Sequence, residues 1–114
     1  MISDKLLERL LDFRRARDWE QFHTARNLAS SIVIEASELL EKYQWGTDAE
    51  IATINTERKE EIADEIADIA ILLSYLAHDL SLDFEGIVSA KLEKNQEKYP
   101  VEKSKGNSLK YDRL

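Results

Sequence analysis

No cysteine occurs among the 114 residues, which excludes disulfides and thiolate metal sites. One proline and three glycines leave little turn punctuation, so long helices are favoured. Two histidines and no cysteine do not make a zinc ligand set. Nor do they make a di-iron bundle, which needs two Glu-x-x-His pairs. Glu20-x-x-His23 occurs once, and Tyr75 stands three residues before His78. Basic residues are also in deficit: Lys plus Arg number 16 against 23 Asp plus Glu, a formal charge of −7. That balance argues against a polymeric nucleic acid as partner, because such binding needs a basic footprint. The longest strongly apolar stretch, Ile66 to Ala77, is interrupted by Asp68 and is too short to span a bilayer. No charged-then-apolar leader is visible. The expectation is a single all-α domain over residues 1–114, soluble and cytoplasmic, with no membrane partner.

Apolar residues recur at helical spacing in four segments. The first helix is expected from Ser3 to Arg17 on Leu6, Leu7, Leu10, Leu11 and Phe13, with Ser3 or Asp4 as cap. A connector follows, Asp18 to His23. Leu28, Ile32, Ala36, Leu39 and Tyr43 mark a second helix from Thr24 to Tyr43, and a loop is expected from Gln44 to Ile54. Within that loop, Thr47-x-x-Glu50 has the form of a capping box that adds a helical turn. The third helix is expected from after Asn55 to Leu80. The fourth runs from Asp83 to Tyr99, ended by Pro100, and leaves a polar tail from Val101 to Leu114. These make a four-helix bundle-like subunit. The third helix is apolar nearly all round from Ile66 to Ala77, so it should be central, and a homodimer or homotetramer is expected to cover it.

Two acidic pairs sit inside these apolar helices: Glu35-x-x-Glu38 and Glu65-x-x-Asp68. Residues three apart share one helix face. No lysine stands four residues beyond Glu35 or Glu65; Leu39 and Ile69 occupy those positions. One reading makes the four acids boundary glutamates and aspartate of amphipathic helices. The other makes them a metal site between two helices, where an all-oxygen donor set suits Mg²⁺ and phosphate chemistry. Spacing alone leaves both open.

Further stretches carry a resemblance. They are Asp18-Trp-Glu-Gln-Phe-His23, Arg26-Asn-Leu28, Glu35-Ala-Ser-Glu38, Gln44-Trp45, Glu60-Glu-Ile-Ala-Asp-Glu-Ile-Ala-Asp68, Lys91-x-x-x-Asn95-x-x-x-Tyr99-Pro100 and Lys110-Tyr111. From about Arg17 to its C-terminus the chain resembles the MazG-like all-α nucleoside triphosphate pyrophosphohydrolases, most of all their dCTP pyrophosphatase branch. The resemblance implies cleavage of a nucleoside triphosphate between its α- and β-phosphates, giving the monophosphate and pyrophosphate. It implies Glu35, Glu38, Glu65 and Asp68 as Mg²⁺ ligands, with Glu38 and Asp68 as the catalytic carboxylates. The general base stays open among Glu38, Glu41 and Glu61. It further implies that Trp19, His23 and Trp45 line the base and sugar end, and that Lys91, Asn95 and Tyr99 contact the triphosphate or sugar. Lys91, Arg26 and the basic tail are the available cations for the polyanion, and the tail is expected to fold over the nucleotide. Two positions depart from the dCTP-specific pattern, Leu10 where a histidine is usual and Leu72 where a tyrosine is usual. Both lie near the expected nucleotide pocket and bear on base preference. The competing expectation is a non-catalytic helical oligomer whose acids hold a structural cation or a basic partner.

Overall fold

The computed structural model describes residues 2–114. They form six α-helices and no strand among the described residues, so the chain is all-α as expected. The helices are α1 (Asp4–Ala16), α2 (Ala25–Glu41), α3 (Ile51–Glu57), α4 (Lys59–Asp79), α5 (Phe84–Lys98) and α6 (Val101–Ser104). Among these residues no helix is long and apolar enough to cross a membrane. The chain divides into two compact units, Ile2–Ser81 and Leu82–Leu114.

In the first unit, side-chain oxygens fix the helix starts. Ser3 Oγ accepts from the Leu6 amide at 3.1 Å, and Thr24 Oγ1 accepts from the Asn27 amide at 3.1 Å. Trp19–Phe22 form a 3₁₀ turn between α1 and α2, entered through Asp18 at φ 54°. Aspartate tolerates that left-handed conformation better than most residues. α2 packs along α4, and α1 touches α4 near its C-terminal half. The fully enclosed apolar core is small, consisting of Leu28, Tyr75 and Ala77.

A polar clamp joins α1 to α4. Arg14, only 5% exposed, donates to both oxygens of Asp79, at 2.9 and 2.8 Å. Its guanidinium lies 4.6 Å from the centre of the Tyr75 ring. The hydrogen bonds from Arg14, and then its charge, hold the Asp79 carboxyl below its ordinary range. Tyr75 in turn donates its hydroxyl to the Leu10 carbonyl at 2.7 Å. Tyr75→Phe removes that bond, although the Leu10 carbonyl keeps the amide that it accepts within α1. A loss of about 1 kcal/mol is expected, read as a lower midpoint in urea unfolding with an unchanged slope.

The expected loop before the third helix is largely helical. Glu50 Oε1 accepts from the Thr47 amide at 3.3 Å and from its hydroxyl at 2.8 Å. That capping box starts a 3₁₀ turn, Asp48–Glu50, which runs directly into α3. Asn55 therefore lies within α3 rather than capping α4, and its Oδ1 accepts the Tyr43 hydroxyl at 2.7 Å. The break comes at Arg58 (φ −109°, ψ 22°), so α4 begins at Lys59. Arg58 Nε donates to Glu61 at 2.7 Å across the new helix start.

In the second unit, Asp83 Oδ2 caps α5 by accepting from the Gly86 amide at 3.1 Å. α5 ends at Lys98, before Pro100, as expected. The tail is not extended. It holds the single turn α6 and a 3₁₀ turn at Tyr111–Arg113, and it returns to the end of α5. There the Tyr111 ring meets Tyr99 edge-on at 6.4 Å and Lys98 Nζ lies 4.8 Å from its centre.

Candidate functional site

The packing of α2 against α4 converts two linear spacings into one cluster. Glu35 and Glu38 stand one turn apart at the edge of the Leu28/Ile32/Leu39 seam, and Glu65 stands beside Ile62 and Ile69. One carboxylate oxygen from each of Glu35, Glu38 and Glu65 lies within 4.8 Å of the other two, and all three residues are half-buried. Oε2 of Glu35 and Oε2 of Glu65 are buried without a hydrogen-bond partner among the described residues. The Glu35 carboxyl is pushed up to about 7, first by the neighbouring Glu65 carboxylate, which can accept a hydrogen bond from Glu35 once it is protonated, and then by burial. A hydrogen bond to Glu38, and the charges of Glu38 and Asp68, push it the same way. Two ionised carboxylates have no proton to share, so the buried oxygens find a donor only when one acid is protonated. A divalent cation would satisfy them equally well. The orphaned oxygens and the all-carboxylate donor set fit a hard, oxygen-seeking ion.

Asp68 stands apart from this trio. It is exposed, one turn beyond Glu65, on the wall of an adjoining cavity that Glu35 also reaches. The cavity has a volume of about 380 Å³. Its other lining residues are Leu10, Phe13, Trp19, His23, Ile71, Leu72 and Tyr75. The aromatic side is continuous. Phe13 meets Trp19 edge-on at 5.7 Å, Trp19 lies 6.3 Å from His23, and His23 lies 5.3 Å from Tyr75. Burial, followed by the nearby Arg14 charge, lowers the His23 pKa and so favours the neutral ring. His23 Nδ1 is buried with no partner among the described residues. The chamber therefore offers flat stacking surface and one unspent polar edge, against a wall of carboxylates.

The structure brings Glu35, Glu38 and Glu65 together, and Glu35, Asp68, Trp19 and His23 around one cavity. Leu10 and Leu72, the two departures from the dCTP-specific pattern, both line that cavity. Trp45 does not join it. The residue is 86% exposed, on the turn after α2. Lys91 and Asn95 belong to the second unit, where they line a shallow apolar groove with Ile87, Val88 and Leu92. Tyr99 there packs on Tyr111.

Three site residues escape the reading of spacings. Phe13 and Tyr75 occupy the apolar faces of α1 and α4 and read as plain core. Lys42 has a legible signal. It stands four residues after Glu38, the ordinary spacing of a helical ion pair, and its Nζ reaches Glu65 Oε1 at 3.9 Å.

Comparison with known proteins bears on the same residues. A family model described as the MazG-like family matches residues 30–114, which include all four acids. The protein named dCTP pyrophosphatase 1 from Rattus norvegicus is 40% identical over 105 residues, covering 90% of this chain and 62% of the relative. Its namesake from Homo sapiens is 37% identical over 105 residues with the same coverage. The chain thus spans about 62% of the length of these relatives. A crystal structure of a pyrophosphatase from Archaeoglobus fulgidus DSM 4304 superposes with a TM-score of 0.83 at 42% identity, covering 85% of this chain and 91% of that one.

Proposed function

Since the chain belongs to the MazG-like family, we propose that it is a Mg²⁺-dependent nucleoside triphosphate pyrophosphohydrolase, yielding a nucleoside monophosphate and pyrophosphate. The convergence of Glu35, Glu38 and Glu65, with Glu35 also lining an aromatic cavity, carries this reading. The names of its relatives support dCTP or a modified dCTP as the substrate.

In this proposal Glu35, Glu38 and Glu65 hold the cation, and Asp68 completes the acidic wall facing the phosphates. When bound, Mg²⁺ supplies positive charge to the triphosphate oxygens and offsets the charge that develops as the α–β bond breaks. Trp19 and His23 hold the base. Trp19 gives a stacking face, and the free nitrogen of His23 gives a hydrogen-bonding edge. Leu10 and Leu72 shape the apolar part of that chamber and exclude water from it. Glu38 accepts a proton from the attacking water, after which the water oxygen bonds to phosphorus. Lys91, Asn95 and Tyr99 are assigned to the triphosphate and sugar, and Arg26 and the basic tail add positive charge.

The enzyme is assigned to the cytoplasm as a homodimer or homotetramer. Val33, Ile34 and Leu40 on α2, Trp45 after it and Ile66 on α4 are all more than half exposed, and a second copy would cover such a surface. A non-catalytic helical scaffold is the weaker reading, because it has no use for an aromatic cavity beside its acids. The test is a panel of canonical and modified nucleoside triphosphates incubated with Mg²⁺ and scored by product. Pyrophosphate with the matching monophosphate supports the proposal. Orthophosphate, or no release from any nucleotide, refutes it.

A further inference from the structure

Three acids meet between α2 and α4, and one basic side chain reaches them across the helix pair. Lys42 follows the last residue of α2, one turn beyond Glu38 on the same face. Its Nζ stands 3.9 Å from Oε1 of Glu65, with 16% of the lysine side chain and 13% of the glutamate side chain exposed. Lysine is seldom enclosed to this degree unless paired. At 3.9 Å the contact is charge proximity rather than a hydrogen bond. The ammonium therefore tempers Glu65 without satisfying it, and the inner oxygens of Glu65 and Glu35 stay unpartnered among the described residues. One ammonium among three carboxyl groups leaves the cluster short of cation.

We infer that Lys42 is a positioning residue of the carboxylate site. Its ammonium is the resident counter-ion that draws Glu65 on α4 toward α2 in the metal-free protein. The same charge opposes an arriving divalent cation, and so sets how tightly the site takes one. This inference rests on the metal site proposed above. A lysine at the end of α2 also meets the negative pole of the helix, which by itself accounts for a gain in stability. It does not account for a change in metal affinity, and the two roles separate there.

The test uses Lys42→Met, which keeps the length of the stem and removes its charge, with Lys42→Gln as a second neutral variant and Lys42→Arg as the conservative one. Each full-length protein is titrated with MgCl₂ by calorimetry without nucleotide, and melted in chelator. The neutral variants are expected to melt lower in chelator and to bind Mg²⁺ more tightly, by about tenfold, because a unit charge no longer repels a divalent one nearby. The arginine variant should stay within about twofold of the parent. Unchanged or weaker Mg²⁺ binding in the neutral variants overturns the role of Lys42. If neither parent nor variants take up Mg²⁺, the metal site itself fails and the inference falls with it.

Discussion

Glu38→Gln is expected to lower the rate of pyrophosphate release by about 10³-fold or more, within the range that loss of a general base produces. The substitution preserves the shape of the side chain and replaces a proton acceptor and anionic ligand with a neutral amide. It also withdraws one charge from a cluster whose members lie within 4.8 Å of one another. The metal-free fold should therefore keep its helicity and melt no lower than the parent. A catalytic defect is thereby separated from a folding defect. Near-parental turnover at saturating Mg²⁺ would remove Glu38 from the chemistry, leaving Glu41 and Glu61 as the alternatives.

Metal binding is expected to depend steeply on pH. The Glu35 carboxyl is pushed from its ordinary 4.5 up to about 7, chiefly by its hydrogen bond with Glu65 and by burial. Between those two values the folded protein holds a proton that the unfolded chain has released. For this group, stability is unimpaired below about 4.5, declines as pH rises, and is least above about 7. A cation in the cluster must displace that proton. Mg²⁺ affinity should then weaken by about tenfold per pH unit below 7, or roughly 100-fold from pH 7 to pH 5. Melting temperatures from pH 5 to 8, in chelator and in excess Mg²⁺, check both halves. The lowered His23 pKa works in the opposite direction, so the Glu35 share is read against Glu35→Gln: relative to that variant the metal-free curve should fall as pH rises, and in the parent the Mg²⁺-dependent increment should grow. An increment independent of pH would show that Glu35 is not a ligand.

Much of this site is legible in the residues. The apolar period places α1, α2 and α5 within a residue or two of where they lie, because each begins at a side chain that accepts a backbone amide: Ser3, Thr24 and Asp83. The i, i+3 acidic spacing locates three acids that meet, because the packing of two helices carries a shared face into contact. The start of α4 is less legible. Asn55 is a residue type that suits a cap, but the Thr47–Glu50 capping box starts the helix earlier, and Asn55 instead accepts the Tyr43 hydroxyl from inside α3. The cavity wall is hidden for a related reason. Phe13 and Tyr75 follow the same apolar period whether they face a core or a chamber, and periodicity does not distinguish the two. Trp45 is the opposite case, an aromatic residue whose type suits a pocket but whose place on the turn after α2 leaves it exposed within its own unit.

The proposal is tested most directly by a crystal structure of the protein with Mg²⁺ and a dCTP analogue that is non-hydrolysable at the α–β bridge. The expected result is ion density at about 2.0–2.1 Å from carboxylate oxygens of Glu35, Glu38 and Glu65, with the base between Trp19 and His23. An empty cluster whose oxygens turn toward solvent, with the nucleotide absent or bound elsewhere, would contradict it.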